Sequence, residues 1–356
     1  MRPSRALVDL TALRHNYLLA RRRHGGRALA VLKANAYGHG AVTCARALAE
    51  SADGFAVAFL DEALALREAG ITLPILLLEG CFTPTELETA RLHRCWTVVH
   101  HEEQLCMLER ALPATNSMQI WLKLDSGMHR AGFPLHQVRE AHTRLRACAG
   151  VETITLMSHF ASADEPDKDT TARQIRAFEA ATHGLPGPRS LANSAGLLAW
   201  PAARHDWARP GIMLYGADPL QGDVHGLKPV MTLESEVVAT RVLQPGDALG
   251  YGGCFIADAP CRAGLVAVGY ADGYPRNAPT GTPVTIDGWH SRIIGRVSMD
   301  MLTVDLGVTP LAGVGSRVEL WGQQVPIKTV AAAAGTIAYE LLCHVQRVPL
   351  VYQPAG

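Results

Sequence analysis

The stretch GFAVAFLDEALALREAGITLPILLLEG, residues 54–80, decides the fold. Two short apolar runs, residues 54–60 and 74–80, lie on either side of a segment with charged residues at helical spacing. A strand, a helix and a second strand in this order form a unit whose two strands lie parallel. Both runs are almost wholly apolar, which is typical of strands covered on both faces. The stretch therefore predicts a parallel sheet with helices packed outside it.

The same unit repeats over the first two thirds of the chain, where eight apolar runs alternate with helix candidates. One helix has a full start signal, with Thr83 as N-cap, Pro84 at the first helical position and Glu86 for a capping box. Eight units in this length fit a (β/α)8 barrel better than an open doubly wound sheet, although periodicity does not prove closure. The runs are residues 28–34, 54–60, 74–80, 96–100, 119–125, 153–160, 189–194 and 208–216.

The pattern changes at about Lys228. From there the chain consists of alternating, β-branched segments such as SRVELWG (316–322), separated by glycine, proline and aspartate turns. We expect a barrel over residues 1–227 and a mostly β domain over residues 228–356. No low-complexity linker separates the two parts, so we expect them to pack closely.

Composition excludes several classes of protein. The chain has 356 residues, 48% of them hydrophobic and 19% charged, as in a folded globular protein. The formal net charge is +0, which gives no footprint for nucleic acid, and RRRHGGR (21–27) is interpreted as a solvated helix end. No stretch has the length and hydropathy of a membrane span or of a signal-peptide core, so we expect a cytoplasmic protein. The eight cysteines lack zinc spacing, so we expect reduced thiols and no metal site.

Residues that carry chemistry cluster where the predicted strands end. The carboxyl ends of barrel strands meet on one rim, where such enzymes have their active sites. The cluster is rich in amines and guanidiniums and poor in carboxylates, so the rim is expected to bind an anion. The loops after the last two strands are the usual phosphate site of this fold. The residues are Lys33, Lys123, Asp125, Arg130, His159, Asn193, Ser194, Arg209, Gly211 and Ile212.

A lysine beside a phosphate site limits the classes of reaction that the site would catalyse. Ser194 and the backbone amides of Gly211 and Ile212 suit a phosphate group. The first predicted strand ends with Lys33, and an amine that forms a Schiff base next to a phosphate anchor suggests pyridoxal phosphate or a phosphosugar aldolase. Each residue alone is weak evidence for such a site, since a single lysine at a strand end is usually a surface residue. The combination carries the inference.

Eight sequence blocks resemble those of the alanine racemases, the fold-type III family of pyridoxal phosphate enzymes. They stand in the family's order over nearly the whole chain. The resemblance implies a (β/α)8 barrel followed by a C-terminal β domain, pyridoxal phosphate as cofactor, and a homodimer that interconverts L- and D-alanine by two-base proton transfer at Cα. The blocks are AVLKANAYGHG (30–40), LKLDSGMHRAG (122–132), MSHFA (157–161), LANSAG (191–196), RPGIMLYG (209–216), GYGGCF (250–255), VGYADGYPR (268–276) and GRVSMDM (295–301).

The resemblance also implies roles for residues of the cofactor site. Lys33 would bind the cofactor covalently and act as one base, and Arg209 would face the pyridine nitrogen, with His159 beside it. Arg130 would support the second base and the cofactor's phenolic oxygen, and would also contact the substrate. The remaining cofactor residues implied are Tyr37, Asn193, Ser194, Gly211 and Ile212.

Other implied roles belong to the β domain. Tyr251 would be the second base and would come from the other subunit of the dimer. Met299, through its backbone amide, would bind the substrate carboxylate, also from the partner chain. Tyr270 and Arg276 resemble residues of the channel that leads to the site, with Asp300 nearby.

Three positions depart from the family pattern or leave a question. Gln346 stands before Arg347-Val348-Pro349, where family members often have a phosphate-binding tyrosine. Ser126 replaces the usual threonine in DSGM, and Lys123 matches a lysine that is carbamylated in many relatives.

The identity of the residue at the pyridine nitrogen has a chemical consequence. Arginine is always a donor, so Arg209 leaves that nitrogen unprotonated and makes the ring a weaker electron sink. Transamination is then disfavoured relative to racemisation. Removing a proton from one face of Cα and returning one to the other is most direct with two bases, here Lys33 and Tyr251.

Other readings of the sequence remain open. A broad-specificity racemase of the same fold would share these blocks, whereas a decarboxylase of this fold would differ in domain arrangement. A non-catalytic pyridoxal phosphate carrier would be a single barrel, and a phosphosugar aldolase would not need Arg209 or the β domain. The sequence does not decide between supply of D-alanine for peptidoglycan and alanine catabolism.

Overall fold

The N-terminal segment begins with strand β1 (Arg5–Asp9), which runs directly into helix α1 (Leu10–His24). A computed structural model describes residues 3–111, 117–220, 225–307 and 309–353. Asp9 is the N-cap of α1, and its side chain accepts a hydrogen bond from the Ala12 N–H at 2.9 Å. The helix ends at Gly25, whose φ of 80° is the left-handed conformation that glycine adopts freely.

The part that follows is a closed parallel barrel, whose parallel strands the repeated units predicted. Strands β3 to β9 pair in chain order, and β10 pairs with β2, which continues into β3 as one extended segment. The Arg209 N–H donates to the Ala192 carbonyl and the Val31 N–H to the Pro210 carbonyl, which joins the last strand to its two neighbours. The barrel strands are β2 (Arg27–Ala28), β3 (Ala30–Val31), β4 (Phe55–Val57), β5 (Ile75–Leu77), β6 (Trp96–Val99), β7 (Met118–Lys123), β8 (Val151–Met157), β9 (Arg189–Ser190) and β10 (Trp207–Ala208).

The eighth predicted strand is shorter than expected. Only the start of the run 208–216 is strand, because β10 ends at Ala208. Pro210 has no N–H to donate to a ladder, so it cannot continue a central strand. Residues Ile212–Tyr215 instead form a 3₁₀ helix at the rim of the barrel.

Helices cover the outside of the barrel, close to the predicted positions. Thr83 caps its helix as predicted, accepting the Glu86 N–H at 3.1 Å, while the Glu86 carboxylate accepts the Phe82 N–H at 2.6 Å. The helical segments of this part are α2 (Lys33–Tyr37), α3 (Ala41–Leu48), α4 (Leu60–Glu68), α5 (Pro84–Leu92), α6 (Glu102–Ala111), α7 (Val138–Ala147), α8 (Thr170–Thr182) and α9 (Ser194–Ala199), with two 3₁₀ helices, Leu135–Gln137 and Pro201–Ala203.

The C-terminal part is mostly β structure built around one long strand, β11 (Met231–Leu243). β1 pairs antiparallel with β11 and parallel with the last strand, so residues 5–9 lie in this sheet. The division into 1–227 and 228–356 stays a prediction, and β1 crosses it. The remaining elements are β12 (Ala248–Leu249), β13 (Phe255–Ile256), β14 (Cys261–Val266), β15 (Pro283–Ile286), β16 (Trp289–Arg292), β17 (Leu302–Asp305), β18 (Arg317–Trp321), α10 (Ile327–Ala333), α11 (Ala338–His344) and β19 (Leu350–Gln353), with 3₁₀ helices Tyr251–Gly253 and Tyr270–Asp272.

The two parts share one continuous apolar core. Asn16 of α1 fastens the connection between them, since its side-chain amide donates to the Leu214 and Lys228 carbonyls and its oxygen accepts the Lys228 N–H. Burial of these polar groups is tolerated because each has a hydrogen-bond partner. In the described ranges, no helix has the length and apolar character needed to cross a bilayer.

Candidate active site

A cavity of about 330 Å3 opens at the rim where the barrel strands end. Lys123 and Glu79 also lie on its wall. The barrel geometry explains why residues from six different strand ends meet here. All nine residues that the sequence assigned to the cofactor line this one cavity: Lys33, Tyr37, Arg130, His159, Asn193, Ser194, Arg209, Gly211 and Ile212.

The backbone immediately after Lys33 is strained. Ala34, Asn35, Ala36 and Tyr37 have φ between 51° and 55°, so α2 is a left-handed turn without a glycine inside it. The left-handed conformation costs an L-residue about 1–2 kcal/mol, and such strain persists where the surroundings hold it, often at functional sites. Nothing in the letters KANAY predicts this geometry, because alanine favours right-handed helix.

The left-handed turn is packed tightly against the C-terminal part. Gly38 follows it with φ of 80°, and a Cβ at that position would stand 2.2 Å from the Leu342 carbonyl oxygen of α11. Only glycine permits this approach. The position of the Lys33 backbone thus depends on a helix about 300 residues later in the chain.

Tyr37 lies at the end of the turn, and its side chain is buried. Its ring stacks on Tyr215 with centroids 4.7 Å apart, and Tyr339 lies at 6.0 Å. Burial raises the pKa of the Tyr37 phenol, so it stays protonated at all ordinary pH values. A Cβ on Gly211 would come within 2.6 Å of the Tyr37 hydroxyl, so the glycine leaves the space that this hydroxyl occupies.

The last two barrel units are joined through Ser194. Its Oγ accepts the Gly211 N–H at 2.9 Å and the Met213 N–H at 3.3 Å. Asn193 caps α9, with its side-chain oxygen accepting the Gly196 N–H at 2.8 Å, so that oxygen has a structural task. The Gly211 and Met213 amides thus both point at the Ser194 hydroxyl. The Ile212 N–H stands at the start of the 3₁₀ helix, where the helix offers no earlier carbonyl.

Arg209 is a buried cation held by neutral groups. Its guanidinium donates to the carbonyls of Ser158 at 2.7 Å, Ser190 at 3.0 Å and Leu191 at 3.3 Å. Within the described part of the chain, no carboxylate lies within ion-pair distance of it. Burial lowers the pKa of Arg209 to about 10, which still leaves it charged at neutral pH.

The charges around Arg209 act on its neighbours. Burial, and then the charges of Arg209 and Lys123, hold the pKa of His159 well below its ordinary value, so this imidazole is neutral. Lys123 is itself buried, which lowers its pKa, while Glu79 acts in the opposite direction. The wall therefore has the excess of cations that the sequence predicted, and it suits an anionic ligand.

Comparison with known proteins assigns the family. Residues 8–219 match the family model "Alanine racemase, N-terminal domain", and residues 230–352 match "Alanine racemase, C-terminal domain". The chain belongs to the alanine racemase family. This confirms the resemblance, the barrel with its β domain, and the class of pyridoxal-phosphate-dependent racemases.

Individual alanine racemases align over the whole chain. The alanine racemase of Azoarcus sp. (strain BH72) is 65% identical over 353 residues, which cover 99% of this chain and 100% of the relative. The "Alanine racemase, catabolic" of Pseudomonas aeruginosa is 56% identical, with 100% of both chains covered. The crystal structure of the biosynthetic alanine racemase from the same species is 49% identical, with a TM-score of 0.96 over 99% of this chain and 100% of that one.

Three β-domain residues that the family resemblance places at the active site lie outside the cofactor cavity of this chain. Tyr251, Met299 and Tyr270 do not line the Lys33 cavity of their own chain; their exposed fractions are 68%, 54% and 37%. The Tyr270 N–H donates to the Ser298 carbonyl and the Ala271 N–H to the Met299 carbonyl, so these two segments form one surface. Tyr270 lines a neighbouring cavity of about 610 Å3 together with Arg276 and Arg347, and Arg347 lies 3.7 Å from Asp300.

The wall also includes residues that the sequence did not indicate, and two of them lie in α11. Tyr339 and Cys343 come from α11, one helical turn apart, and both line the Lys33 cavity. Gln346 does not: it lines the 610 Å3 cavity, and its side chain donates to the Cys343 carbonyl at 3.4 Å. The tyrosine of this segment that faces the site is therefore Tyr339, seven residues before Gln346. The i, i+4 spacing of Tyr339 and Cys343 shows a shared helix face but not which face of the protein it meets.

Proposed function

We propose that the chain interconverts L-alanine and D-alanine with pyridoxal phosphate bound in the Lys33 cavity. The observation that carries the proposal is that the nine residues assigned to the cofactor from sequence line one cavity, which holds an amine, buried cations and hydroxyls. An amine can form the Schiff base, and the cations and hydroxyls match a phosphorylated, anionic ring.

The residues present fit this cofactor in chemical type. Tyr37, Ser194, Tyr339 and the N–H of Ile212 would hold the phosphate, and Lys33 would bind the aldehyde carbon. When bound, pyridoxal phosphate draws electrons from Cα of an amino acid and so acidifies its hydrogen. The contact that the sequence left in doubt at Gln346 would be made by the Tyr339 phenol, which is kept protonated because burial raises its pKa to about 12.

Lys33 and Tyr251 would exchange the proton at Cα from opposite faces. Tyr251 is exposed and lies outside the Lys33 cavity of its own chain, so it would reach the substrate from a second copy. The Met299 amide would come with it and bind the substrate carboxylate, while Arg130 would contact the substrate from the barrel side. A homodimer with shared sites follows.

Arg209 would direct the reaction toward racemisation. Its guanidinium donates to three carbonyls and has no carboxylate beside it among the residues described. It therefore keeps its proton and acts only as a charged hydrogen-bond donor. It would hold the ring nitrogen without protonating it. Return of the proton to Cα would then be favoured over transamination.

The test is to incubate the purified protein, pyridoxal phosphate and L-alanine in D₂O, then to measure D-alanine and Cα deuterium by chiral chromatography with mass spectrometry. D-alanine that carries deuterium is the expected product. Deuterium in L-alanine without D-alanine would mean one working base and would remove Tyr251 from the proposal. Neither product, with cofactor shown to be bound, would favour the non-catalytic carrier.

Substrate range and cellular role are separate parts of the proposal. Repeating the D₂O experiment with serine, lysine and arginine distinguishes an alanine racemase from a broad-specificity enzyme, because only the latter would exchange their Cα hydrogen at a comparable rate. Relatives named for biosynthetic and catabolic roles are both similar to the chain, so both roles stand. Location in the cytoplasm stays a prediction.

A further inference from the structure

One end of the left-handed turn is held by a carboxylate from the next barrel unit. Glu62 Oε1 accepts the Ala34 N–H at 2.6 Å, the first N–H after Lys33. Glu62 Oε2 accepts the N–H groups of Ala58 at 2.7 Å and Phe59 at 3.3 Å, before α4. A charged acceptor strengthens such bonds. One side chain thus caps α4 and fixes the start of the turn.

The other end of the turn is held by a buried imidazole. His39 Nδ1 lies 3.0 Å from the Ala36 carbonyl oxygen and 2.9 Å from that of Tyr37. Both neighbours are acceptors, so Nδ1 carries the hydrogen and donates to them. The His39 ring stacks on Tyr215 with centroids 4.5 Å apart, and Tyr215 in turn stacks on Tyr37.

We propose that Glu62 and His39 are positioning residues of the active site. Neither lines the Lys33 cavity, so they act through the turn that they hold at its two ends. By keeping Ala34 to Tyr37 left-handed, they aim the Lys33 amine and the Tyr37 hydroxyl into the same cavity. The inference rests on the proposed function, because it concerns how well Lys33 and Tyr37 meet the cofactor.

The sequence of the turn explains why it needs such support. Ala34 and Ala36 favour the right-handed conformation, and the turn contains no glycine until Gly38. A relaxed turn would change the direction of the Lys33 and Tyr37 side chains, which lie at its two ends. Misplacement of a reacting group by about 1 Å can cost about 100-fold in rate.

The chain offers a matched control for Glu62. Glu86 holds the same position in the next unit, three residues after the N-cap, and its carboxylate accepts the Phe82 N–H at 2.6 Å. It has no bond to residues 33–40 among the contacts of the described chain. Glu62→Ala and Glu86→Ala therefore each remove one helix-capping carboxylate, but only Glu62→Ala removes a contact of the turn.

The experiment compares these two variants by three measurements. The first is hydrogen exchange of the peptide covering 33–40 in the protein prepared without cofactor. The second is the Kd for pyridoxal phosphate, from fluorescence quenching. The third is the fraction of Lys33 that carries the cofactor after borohydride reduction, from peptide mass spectrometry. We expect faster exchange and about tenfold weaker cofactor binding in Glu62→Ala only. Tm should fall in both variants and fall further in Glu62→Ala, because the Glu62 carboxylate accepts three N–H groups and that of Glu86 accepts one. Equal exchange and equal Kd in the two variants would overturn the proposal.

His39 is tested with a second matched pair. His39→Phe keeps a ring on Tyr215 but has no donor, whereas His39→Asn keeps an N–H near the place of Nδ1. We expect a larger fraction of Lys33 to carry trapped cofactor in His39→Asn than in His39→Phe. If trapping instead follows Tm in both, His39 is a packing residue and its part of the proposal falls. Should His39→Phe fail to fold, the Glu62 comparison decides.

The readouts separate this inference from the proposed function. Hydrogen exchange in the cofactor-free protein reports on the turn whether or not the protein racemises anything. A native protein that traps no cofactor on Lys33 would contradict the proposed function. A native protein that traps cofactor, together with Glu62→Ala indistinguishable from Glu86→Ala, would contradict the positioning role alone.

Discussion

The barrel rim and the exposed edge of the β domain are built in opposite ways. At the rim, Arg209 and Ser194 are buried and have their bonds within the barrel. At the edge, Tyr251 and Met299 stand mainly in solvent, and Tyr251 is flanked by glycines with φ of 71°. The rim side chains are held by bonds within the protein, whereas the edge has large apolar side chains that only another surface would cover. The difference is what the proposed shared site requires, since one chain would supply the cofactor half of one site and the Tyr251 half of another.

The largest effect is expected at the rim. Lys33→Ala removes both the amine that binds the cofactor and one of the two bases. Racemisation should fall by about 10⁴-fold or more, and borohydride should trap no cofactor on the protein. Alanine exchange in D₂O and peptide mass spectrometry measure the two losses. Substantial residual trapping on another lysine would show that the rim holds its ligand differently.

At the edge, Tyr251→Phe should lower racemisation by about 10²–10⁴-fold because it removes the hydroxyl of one of the two proposed bases. The change in Tm should be small, since the ring is kept and one hydroxyl is lost. Cofactor binding should also stay normal, which is the contrast with Lys33→Ala. Weaker cofactor binding in Tyr251→Phe would contradict the division of labour between the two regions.

The two halves can be recombined. Mixing the Lys33→Ala and Tyr251→Phe proteins and allowing subunit exchange should give mixed dimers with one intact site. We expect recovery of about one quarter of native activity if subunits associate at random. Mass spectrometry of the intact dimers confirms the exchange. If mixed dimers form and no activity returns, Tyr251 does not act across the interface.

Arg209→Glu tests the rim by inverting a buried charge. The new carboxylate would face three carbonyls, so we expect a loss of about 3–5 kcal/mol in the free energy of unfolding. It would also accept a hydrogen bond from the protonated ring nitrogen and so keep that nitrogen protonated, so keto-acid formation should rise relative to racemisation. The ratio of pyruvate to D-alanine measures this, with Arg209→Met as a control that removes the positive charge without introducing a carboxylate. An unchanged ratio would show that Arg209 does not suppress transamination.

The smallest effect expected is a loss of folding stability at acidic pH. Burial is the main cause that lowers the pKa of six histidines in the barrel: His24, His39, His100, His142, His159 and His205. Below about pH 6.5 the unfolded chain binds protons that the folded chain refuses, so stability falls as pH decreases. The pKa of His39 is about 4, which makes its share about 3 kcal/mol between pH 6.5 and pH 4. Urea unfolding of native protein and His39→Phe at pH 7.5 and pH 5 should show a shallower pH dependence in the variant.

The fold was predictable because its signals are local and repeated. Strand–helix units such as residues 54–80 recur, and the Thr83 cap lies where its sequence signature predicted. Closure of the sheet was not predictable, since it depends on single bonds such as that from Arg209 to Ala192. The last strand was overestimated because the apolar letters after Pro210 suit a 3₁₀ helix as well as a strand.

The site was predictable as a set of strand ends, and less so in its geometry. Barrel topology brings Lys33, His159 and Arg209 together wherever the helices run. The left-handed turn and the place of Tyr339 depend on α11, and no periodicity connects residues separated by about 300 positions. For the same reason the sequence drew attention to Gln346, next to a recognisable motif, instead of to Tyr339.

The pairing of β1 with β11 and β19 has a consequence for how the protein is made. When residues 5–9 leave the ribosome, the strand on one side of them is about 220 residues away and the strand on the other about 340. At about 5–20 residues per second, β1 waits roughly 20–70 s for its last neighbour. A strand without neighbours is a site for wrong pairing during that time. The barrel can form while translation continues, but this sheet is completed only near its end.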